Sequence, residues 1–300
     1  MKKIVLIACS AAAAPAIECL VQMNVLAGVL ITYCSESDAQ QLAGITQHFG
    51  VPHASQAHID NDVLASAKQN WQGDEFISYH LPYELLRNVQ SEQDVVQVQV
   101  AQYSNATVEH ALFQTIHSQQ SHCVLSAVSI KHQQVLLSHS VAVESEDTAG
   151  TLHKKLLTQL PSLLQQLVSE FDSLYDAQSF VQFAPETLSS LDESHLFTNL
   201  QTDSAEQVII LTRAANPYFG GARLHIGKAV CQLMQVSLTE QPTFGVKAGT
   251  VVALSKSGGL IIALRNEQTL KLDVVSSAEG VFDGYRFAMQ AKLQAGMNLK

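Results

Sequence analysis

Apolar runs and amphipathic segments alternate through the first half of the chain. The apolar runs 3–8 and 25–33 are each followed by a segment with helical spacing, at 15–23 and 39–49. A strand followed by a helix, repeated along the chain, is the rhythm of a parallel α/β sheet. Further strands are predicted at 75–79, 95–101, 124–130 and 134–143. We therefore expect a Rossmann-like, mostly parallel sheet with helices on both faces.

Two further helical patterns are predicted, one between strands 95–101 and 124–130 and one after strand 134–143. One begins after Thr107, and the other carries leucines at helical spacing from Leu152 to Leu167. Asp147 or Thr148 precedes the second helix as its N-cap, because a side-chain oxygen there accepts a hydrogen bond from a free backbone N–H. We expect both helices to pack on the α/β domain.

The last third of the chain has a different pattern. Between 173 and 206 the periodicity fades into a polar stretch that contains Pro185, which is typical of a linker. Short apolar runs separated by Gly and Asn turns then predict a small OB-like β-barrel. These strands are predicted at 208–212, 223–226, 230–236, 250–255, 260–264 and 269–274, before a closing helix at 278–293. The predicted domains are 1–172, the linker 173–206, and 207–300.

Charge, cysteine content and the lengths of the apolar runs exclude several kinds of function and location. The net charge is −10, with ten Lys and Arg against six Asp and Glu in residues 205–300. An acidic chain is unsuited to binding the phosphate backbone of a nucleic acid. The five cysteines have no C-x-x-C pairing, so neither a disulfide framework nor a metal site is expected. The first apolar run is shorter than a secretory core, and none is long enough to span a membrane. These features predict a cytoplasmic protein.

Five motifs in order resemble the family of methionyl-tRNA formyltransferase and the sugar N-formyltransferases. They cover nearly the whole chain, from Lys3 to Leu299. The motifs are Pro15-Ala-Ile-Glu-Cys-Leu20, Phe76-Ile-Ser-Tyr-His80 with Leu85-Leu86, Asp147-Thr-Ala-Gly-Thr-Leu-His-Lys-Lys-Leu156, Arg213-Ala-Ala-Asn-Pro-Tyr218 with Gly220-Gly-Ala222, and Gly284-Tyr-Arg286 with Gly296-Met-Asn-Leu299. Dinucleotide, Walker A, zinc-protease and nucleophile-elbow motifs are absent from the sequence.

The resemblance implies a folate pocket and a catalytic set of Asn, His and Asp. The pocket would be lined by Ser78, Tyr79, His80 and Leu81. The ungapped strand 94–100 puts Gln97 in the Asn position and Gln99 in the His position, while Lys131 falls near the Asp position. A glutamine amide can donate to an oxyanion but cannot relay a proton near pH 7. We therefore expect formyl transfer to be lost.

Three hypotheses follow from these substitutions. The first is a formyltransferase-like protein that no longer transfers formyl groups and binds a small molecule or a protein partner. The second is a transferase with altered chemistry on an amine or carrier-linked substrate, using Lys131 or the cleft candidates His110 and His132. The third is an active formyltransferase, and only this one implies 10-formyltetrahydrofolate as cofactor. tRNA is not the expected substrate, since the segment 33–38 is acidic where the tRNA enzymes carry a basic loop.

Overall fold

A computed structural model describes most of the chain. It covers residues 2–81, 83–86, 89, 94–100, 103, 106–176, 181–182, 188–241 and 243–299. Ala101, at the end of a predicted strand, and Pro185, in the predicted linker, lie outside the described residues. The contacts within this part of the chain define two compact units, one formed by 1–111, 122–142 and 153–189 and the other by 112–121, 143–152 and 190–300.

The first unit is built on an eight-stranded sheet in the order β3-β2-β1-β4-β5-β6-β7-β8. Strands β1 to β5 pair in parallel, and β6, β7 and β8 add antiparallel pairs. The elements through β8 are β1 (Ile4–Ala8), α1 (Ala14–Gln22), β2 (Leu26–Thr32), α2 (Glu36–His48), β3 (His53–Gln56), α3 (Asn61–Trp71), β4 (Glu75–Tyr79), α4 (Tyr83–Leu86), β5 (Val95–Val100), α5 (Val108–His117), β6 (His122–Ser129), β7 (Gln134–Ala142), α6 (Ala149–Ser169), α7 (Phe171–Asp176) and β8 (Val181–Gln182). This parallel-rich, Rossmann-like sheet confirms the predicted class of the first half.

The central strands follow from continuous apolar runs. Every residue of β1 and of β5 is buried, as expected for strands that are covered on both faces. Helices beside them begin at short polar caps: the Ser35 side chain accepts from the N–H of Asp38, and Asp60 accepts from that of Val63. The Thr148 hydroxyl likewise accepts from the N–H of Thr151 at the start of α6. The predicted strands of this half are found within two residues of their expected bounds.

The second unit carries an antiparallel sheet of six strands. Its path is β11-β12-β13-β10-β9, with β14 paired to β13. The elements are α8 (Ala205–Ala215), β9 (Ala222–Ile226), β10 (Ala229–Thr239), β11 (Val251–Ser255), β12 (Gly259–Ala263), β13 (Thr269–Ser277), β14 (Gly280–Asp283) and α9 (Gly284–Gln290). Among the described residues the path from β11 to β9 is open, so the OB-like barrel stays a prediction.

Two elements of the second unit correct the sequence prediction. The run 208–212, predicted as a strand, lies inside helix α8. The Ser204 hydroxyl accepts from the N–H of Gln207 while the Gln207 side chain accepts from the N–H of Ser204, which is a capping box. This cap and the burial of Val208, Leu211 and Ala215 on one helical face outweigh the β-propensity of the run. The predicted helix 278–293 begins only at Gly284, because β14 precedes it.

The predicted domain limits 1–172, 173–206 and 207–300 stay predictions. In the segment 173–206 the structure describes the end of α7, strand β8, and a short 3-10 helix at Glu193–Leu196. Among the described residues, no helix combines the length and the apolar character that crossing a membrane requires.

Candidate functional site

Strands β4 and β5 bring three sequence-predicted site residues onto one face of the sheet. Ser78 on β4 lies directly opposite Gln97 on β5 in the parallel register. Gln99 is two residues further along β5, and alternate residues of a strand point to the same face. The three side chains are buried, with exposed fractions of 0%, 2% and 3%. A polar patch thus lies within the apolar core of the first unit.

Gln97 is held in a defined orientation. Its side-chain Nε2–H donates to the backbone carbonyl oxygen of Leu81. A carbonyl can only accept, so the amide nitrogen of Gln97 must face Leu81 and the Oε1 oxygen must point away. This Oε1 atom is buried and has no hydrogen-bond partner among the described residues.

The two neighbours of Gln97 also carry polar atoms that lack partners within the described part of the chain. The Nε2 atom of Gln99 and the Oγ atom of Ser78 are buried, and the described residues supply no hydrogen bond to either. Gln99 lies opposite Ser126 of β6 in the register. Ser78, Gln97 and Gln99 form what we call the amide site: one acceptor, one donor, and a hydroxyl that can do either.

His80 follows β4 in an unusual conformation. Its φ angle is 51°, in the left-handed region that few residues other than glycine adopt. Its backbone N–H donates to the carbonyl oxygen of Val98 at 2.9 Å, which extends the pairing of β4 with β5 by one residue. The Tyr79 ring meets the imidazole edge-on, with ring centroids 4.4 Å apart. His80 is therefore fixed by backbone pairing and ring packing together.

Burial keeps the imidazole of His80 neutral. Loss of hydration, with a smaller contribution from nearby His153, lowers the pKa of His80 from 6.5 to about 3. The Cys9 thiol at the end of β1 donates to the His80 carbonyl oxygen at 3.6 Å. Burial raises the pKa of Cys9 to about 12, so this thiol is not a reactive thiolate.

His153 on α6 and Glu109 on α5 were missed in the sequence prediction. Burial lowers the pKa of His153, while the Glu109 carboxylate acts to raise it. The sequence offers no signal for this pair, because their positions 44 residues apart become neighbours only through the fold. His80, His153 and Glu109 form a titratable cluster, which we call the histidine cluster.

The structure does not bring Lys131 to Gln99. Strand β6 runs antiparallel to β5, so the residues after β6 lie beside the start of β5. The N–H of Ile130 donates to the carbonyl oxygen of Val95, and the N–H of Lys131 donates to the Asp94 carboxylate at 2.9 Å. Lys131 is exposed there. Nearly the length of β5 separates it from Gln99.

His132 and His110 lie outside strands β4 and β5, which carry the amide site. His132 is exposed after β6; its N–H donates to Ser129 Oγ, and its ring packs on Tyr175 with centroids 5.7 Å apart. His110 lies in the first turn of α5, where burial lowers its pKa. Its N–H donates to Thr107 Oγ1 at 3.4 Å. Their predicted roles in catalysis stay predictions.

The five cysteines are free thiols. The search for groups of three or more His, Cys, Asp or Glu side chains that could hold a metal ion finds none within the described ranges.

Solved structures, two formyltransferases among them, share the fold of this chain. HypX from Aquifex aeolicus in complex with tetrahydrofolic acid matches with a TM-score of 0.60 and 11% identity, over 96% of this chain and 47% of the HypX chain. WlaRD, a sugar 3N-formyl transferase, matches with a TM-score of 0.58 and 12% identity over 90% of this chain and 96% of its own. The N-formyltransferase of Helicobacter canadensis in complex with folinic acid and dTDP-3-aminofucose matches with a TM-score of 0.56 and 11% identity, over 90% and 98% of the two chains.

These matches define the class of the fold. The chain has the fold of the formyltransferases, which confirms the resemblance predicted from its motifs. It spans about half the length of the HypX chain. No protein-family model matches the sequence, and no curated protein matches it either.

Proposed function

We propose that this chain is a formyltransferase-fold protein that binds a small molecule at the carboxyl edge of its parallel sheet without transferring a formyl group. The observation that carries the proposal is the amide site. Gln97 and Gln99 occupy the positions where the resemblance implies an asparagine and a histidine, and both are buried beside Ser78. Open α/β sheets bind ligands outside the carboxyl ends of their strands, and Ser78 and Gln99 lie in the carboxyl-terminal halves of β4 and β5.

The amide site can bind but is poorly suited to proton transfer. Formyl transfer to an amine requires a group that accepts a proton from the attacking nitrogen, and neither an amide nor a hydroxyl does so near pH 7. Losing general acid–base catalysis lowers a rate by about 10²–10⁴. Lys131, beside the start of β5, is poorly placed to supply the missing group. The residues therefore fit the binding of a folate better than its reaction.

A direct assay tests the loss of transfer. Purified protein is incubated with 10-formyltetrahydrofolate and a panel of amine acceptors, among them an amino sugar nucleotide, and formation of tetrahydrofolate is followed. We expect a rate equal to that of the acceptor-free blank, with a known sugar N-formyltransferase as positive control for the assay. Acceptor-dependent release of tetrahydrofolate would show an active formyltransferase and overturn the proposal.

The histidine cluster favours a second candidate, a transferase with altered acid–base chemistry. His153 acts on the pKa of His80, and the Glu109 carboxylate acts on the pKa of His153. An imidazole that interacts with a carboxylate is a common general base. The probe is hydrolysis of p-nitrophenyl acetate as an activated acyl donor. Loss of this activity in His153→Gln, but not in the control His48→Gln on α2, would support the second candidate. Equal activity in both variants and the parent would exclude it.

Some finer features of the proposal rest on the sequence. We infer an OB-like barrel for residues 207–300, a cytoplasmic location, and a small-molecule ligand in preference to tRNA. Free cysteines support the location, since a reducing compartment keeps thiols unpaired. If no small molecule binds, we propose that the chain binds a protein partner instead.

A further inference from the structure

The second unit contains a cavity of about 540 Å³ with apolar and aromatic walls. Three buried leucines line it: Leu200, Leu224 and Leu299. Phe197 and His225 line it as well, and their rings are stacked, with centroids 4.5 Å apart and planes inclined by 11°. A cavity of about 300–1,000 Å³ with such walls is typical of a small-molecule site. We call this cavity the stacking pocket.

The aromatic pair of the stacking pocket favours a planar ligand. His225 is exposed and Phe197 is half-buried, so the pair lies where the pocket meets the surface. Flat heterocycles such as nucleobases stack on aromatic side chains, because both present a π-face. The stacking pocket is therefore suited to a ligand that carries a planar ring.

The charges around the stacking pocket favour a neutral ring. The described residues that line it include no Lys, Arg, Asp or Glu. Arg223 precedes Leu224 on β9, so its side chain points to the opposite face of the sheet. Its Nη1 atom lies 3.1 Å from the Glu193 carboxylate. Because a charged group is strongly disfavoured in an apolar pocket without a counter-ion, we expect the part of the ligand that enters to be uncharged.

Two amide side chains of the stacking pocket have fixed orientations. The Asn199 Oδ1 atom accepts from the backbone N–H of Gln201 at 2.9 Å, which leaves the Asn199 Nδ2 donor for a ligand. The Gln201 Nε2 atom donates to the carbonyl oxygen of Leu299 at 3.4 Å and to Asn298 Oδ1 at 3.3 Å. Its Oε1 acceptor is left for a ligand in the same way. The pocket thus offers one donor and one acceptor.

We propose that the stacking pocket binds a neutral heterocycle of the nucleobase class, which packs against Phe197 and His225 and hydrogen-bonds to Asn199 and Gln201. Adenine presents the N7 acceptor and the N6 amino donor on one edge, and these complement Asn199 Nδ2 and Gln201 Oε1. A free nucleoside is favoured over a nucleotide or a nucleic acid, because no basic side chain lines the pocket to hold a phosphate. The inference does not depend on the proposed function, since no residue of the amide site takes part.

Isothermal titration calorimetry with the full chain and adenosine as the probe tests the stacking contact. We expect adenosine to bind with one site per chain, and ribose, which lacks the ring, not to bind. Phe197→Leu keeps an apolar side chain and removes the aromatic face, so it should weaken adenosine binding about tenfold. The matched control is Phe49→Leu, at an exposed phenylalanine whose ring also contacts a histidine, with centroids 5.1 Å apart. This control should bind adenosine as the parent does.

A second variant tests the hydrogen bonds. Asn199→Asp keeps the Oδ1 acceptor for the N–H of Gln201 and replaces the Nδ2 donor with an oxygen that faces the adenine N7 acceptor. We expect adenosine binding to weaken at least tenfold. Asn70→Asp, at an exposed position of α3, introduces the same charge and should leave the affinity unchanged. Thermal melting curves establish that each variant is folded.

Three results would overturn the inference. The first is no binding of adenosine by the folded parent, and the second is equal affinity of Phe197→Leu and the parent. The third is adenosine 5′-monophosphate binding more than tenfold tighter than adenosine, which would show that the site selects an anion and not a neutral ring. If Phe197→Leu does not fold, His225→Ala at the exposed ring of the pair replaces it and must show the same loss of affinity.

Discussion

The side chain of Gln97 donates a hydrogen bond to the backbone carbonyl oxygen of Leu81. This bond joins the middle of β5 to the second residue after β4. Leu81 is itself fully buried in the core that covers the sheet. A residue at the position where the resemblance implies a catalytic asparagine therefore holds the backbone next to His80 in place.

Gln97→Leu is expected to destabilise the protein. The substitution leaves the buried carbonyl oxygen of Leu81 without a partner, and an unsatisfied buried acceptor costs about 1–3 kcal/mol. The free energy of unfolding is measured by urea denaturation, with the same dependence on urea concentration assumed for all variants. Gln47→Leu on the exposed side of α2 is the matched control and should change it by less than about 0.5 kcal/mol. Equal stability of the two variants would contradict a structural role for Gln97.

His80 makes stability depend on pH. Its pKa in the folded protein is about 3, below the ordinary value of 6.5 in the unfolded chain. The neutral form is therefore favoured by folding, and its contribution is fully present above pH 6.5. As pH falls from 6.5 toward 3, the unfolded chain binds a proton that the folded protein does not, so stability decreases.

Replacement of His80 should remove this part of the pH dependence. Between pH 6.5 and pH 4, we expect the free energy of unfolding of His80→Asn to fall less steeply with pH than that of the parent, by the slope that corresponds to about one bound proton. Asparagine does not titrate, and it tolerates the left-handed backbone conformation. Unfolding free energies at several pH values provide the measurement. Gln47→Asn, a substitution without a titratable group at an exposed position of α2, should leave the slope unchanged. An unchanged slope in His80→Asn would show that His80 is accessible to protons in the folded state.

Ser204 is predicted to anchor helix α8. Ser204→Ala removes the hydroxyl that accepts from the N–H of Gln207, and loss of an N-cap costs about 1 kcal/mol. Ser190→Ala, at an exposed position outside a regular element, is the control. Thermal melting of both variants checks the prediction. If Ser204→Ala melts at the same temperature as the parent, the cap is not what makes residues 208–212 helical.

Replacing either of two glycines with alanine is expected to change the stability of the protein, in opposite directions at the two positions. Gly221 has a φ angle of 86°, and a Cβ atom there would overlap the carbonyl oxygen of Leu233. Gly221→Ala should cost about 1–2 kcal/mol for the left-handed backbone and about 1–3 kcal/mol for the overlap. Gly44 lies exposed within α2, and no atom of the described residues lies within 4 Å of the added methyl group. Gly44→Ala should stabilise the protein by about 0.5–1 kcal/mol. Chemical denaturation of the two variants and the parent measures both the expected loss and the expected gain in the free energy of unfolding.

The sequence alone determined most of the first sheet. Strands β1 and β4 were predicted because runs such as 4–8 and 75–79 are apolar enough to be buried on both faces, and such a run has few alternatives in a folded chain. Segment 208–212 was predicted wrongly as a strand because its apolar residues suit a strand and a helix equally. The capping box at Ser204 decided between the two.

Tertiary structure alone decided how the candidate site is assembled. The sequence placed Gln97 and Gln99 on one strand, but only the parallel register of β4 with β5 sets Ser78 opposite Gln97. The antiparallel direction of β6 moves Lys131 to the far end of β5, and packing of helices brings His153 near His80. Periodicity along a chain reports which face of an element is buried. It carries no information on strand order, direction or register, because these depend on contacts between residues that are distant in sequence.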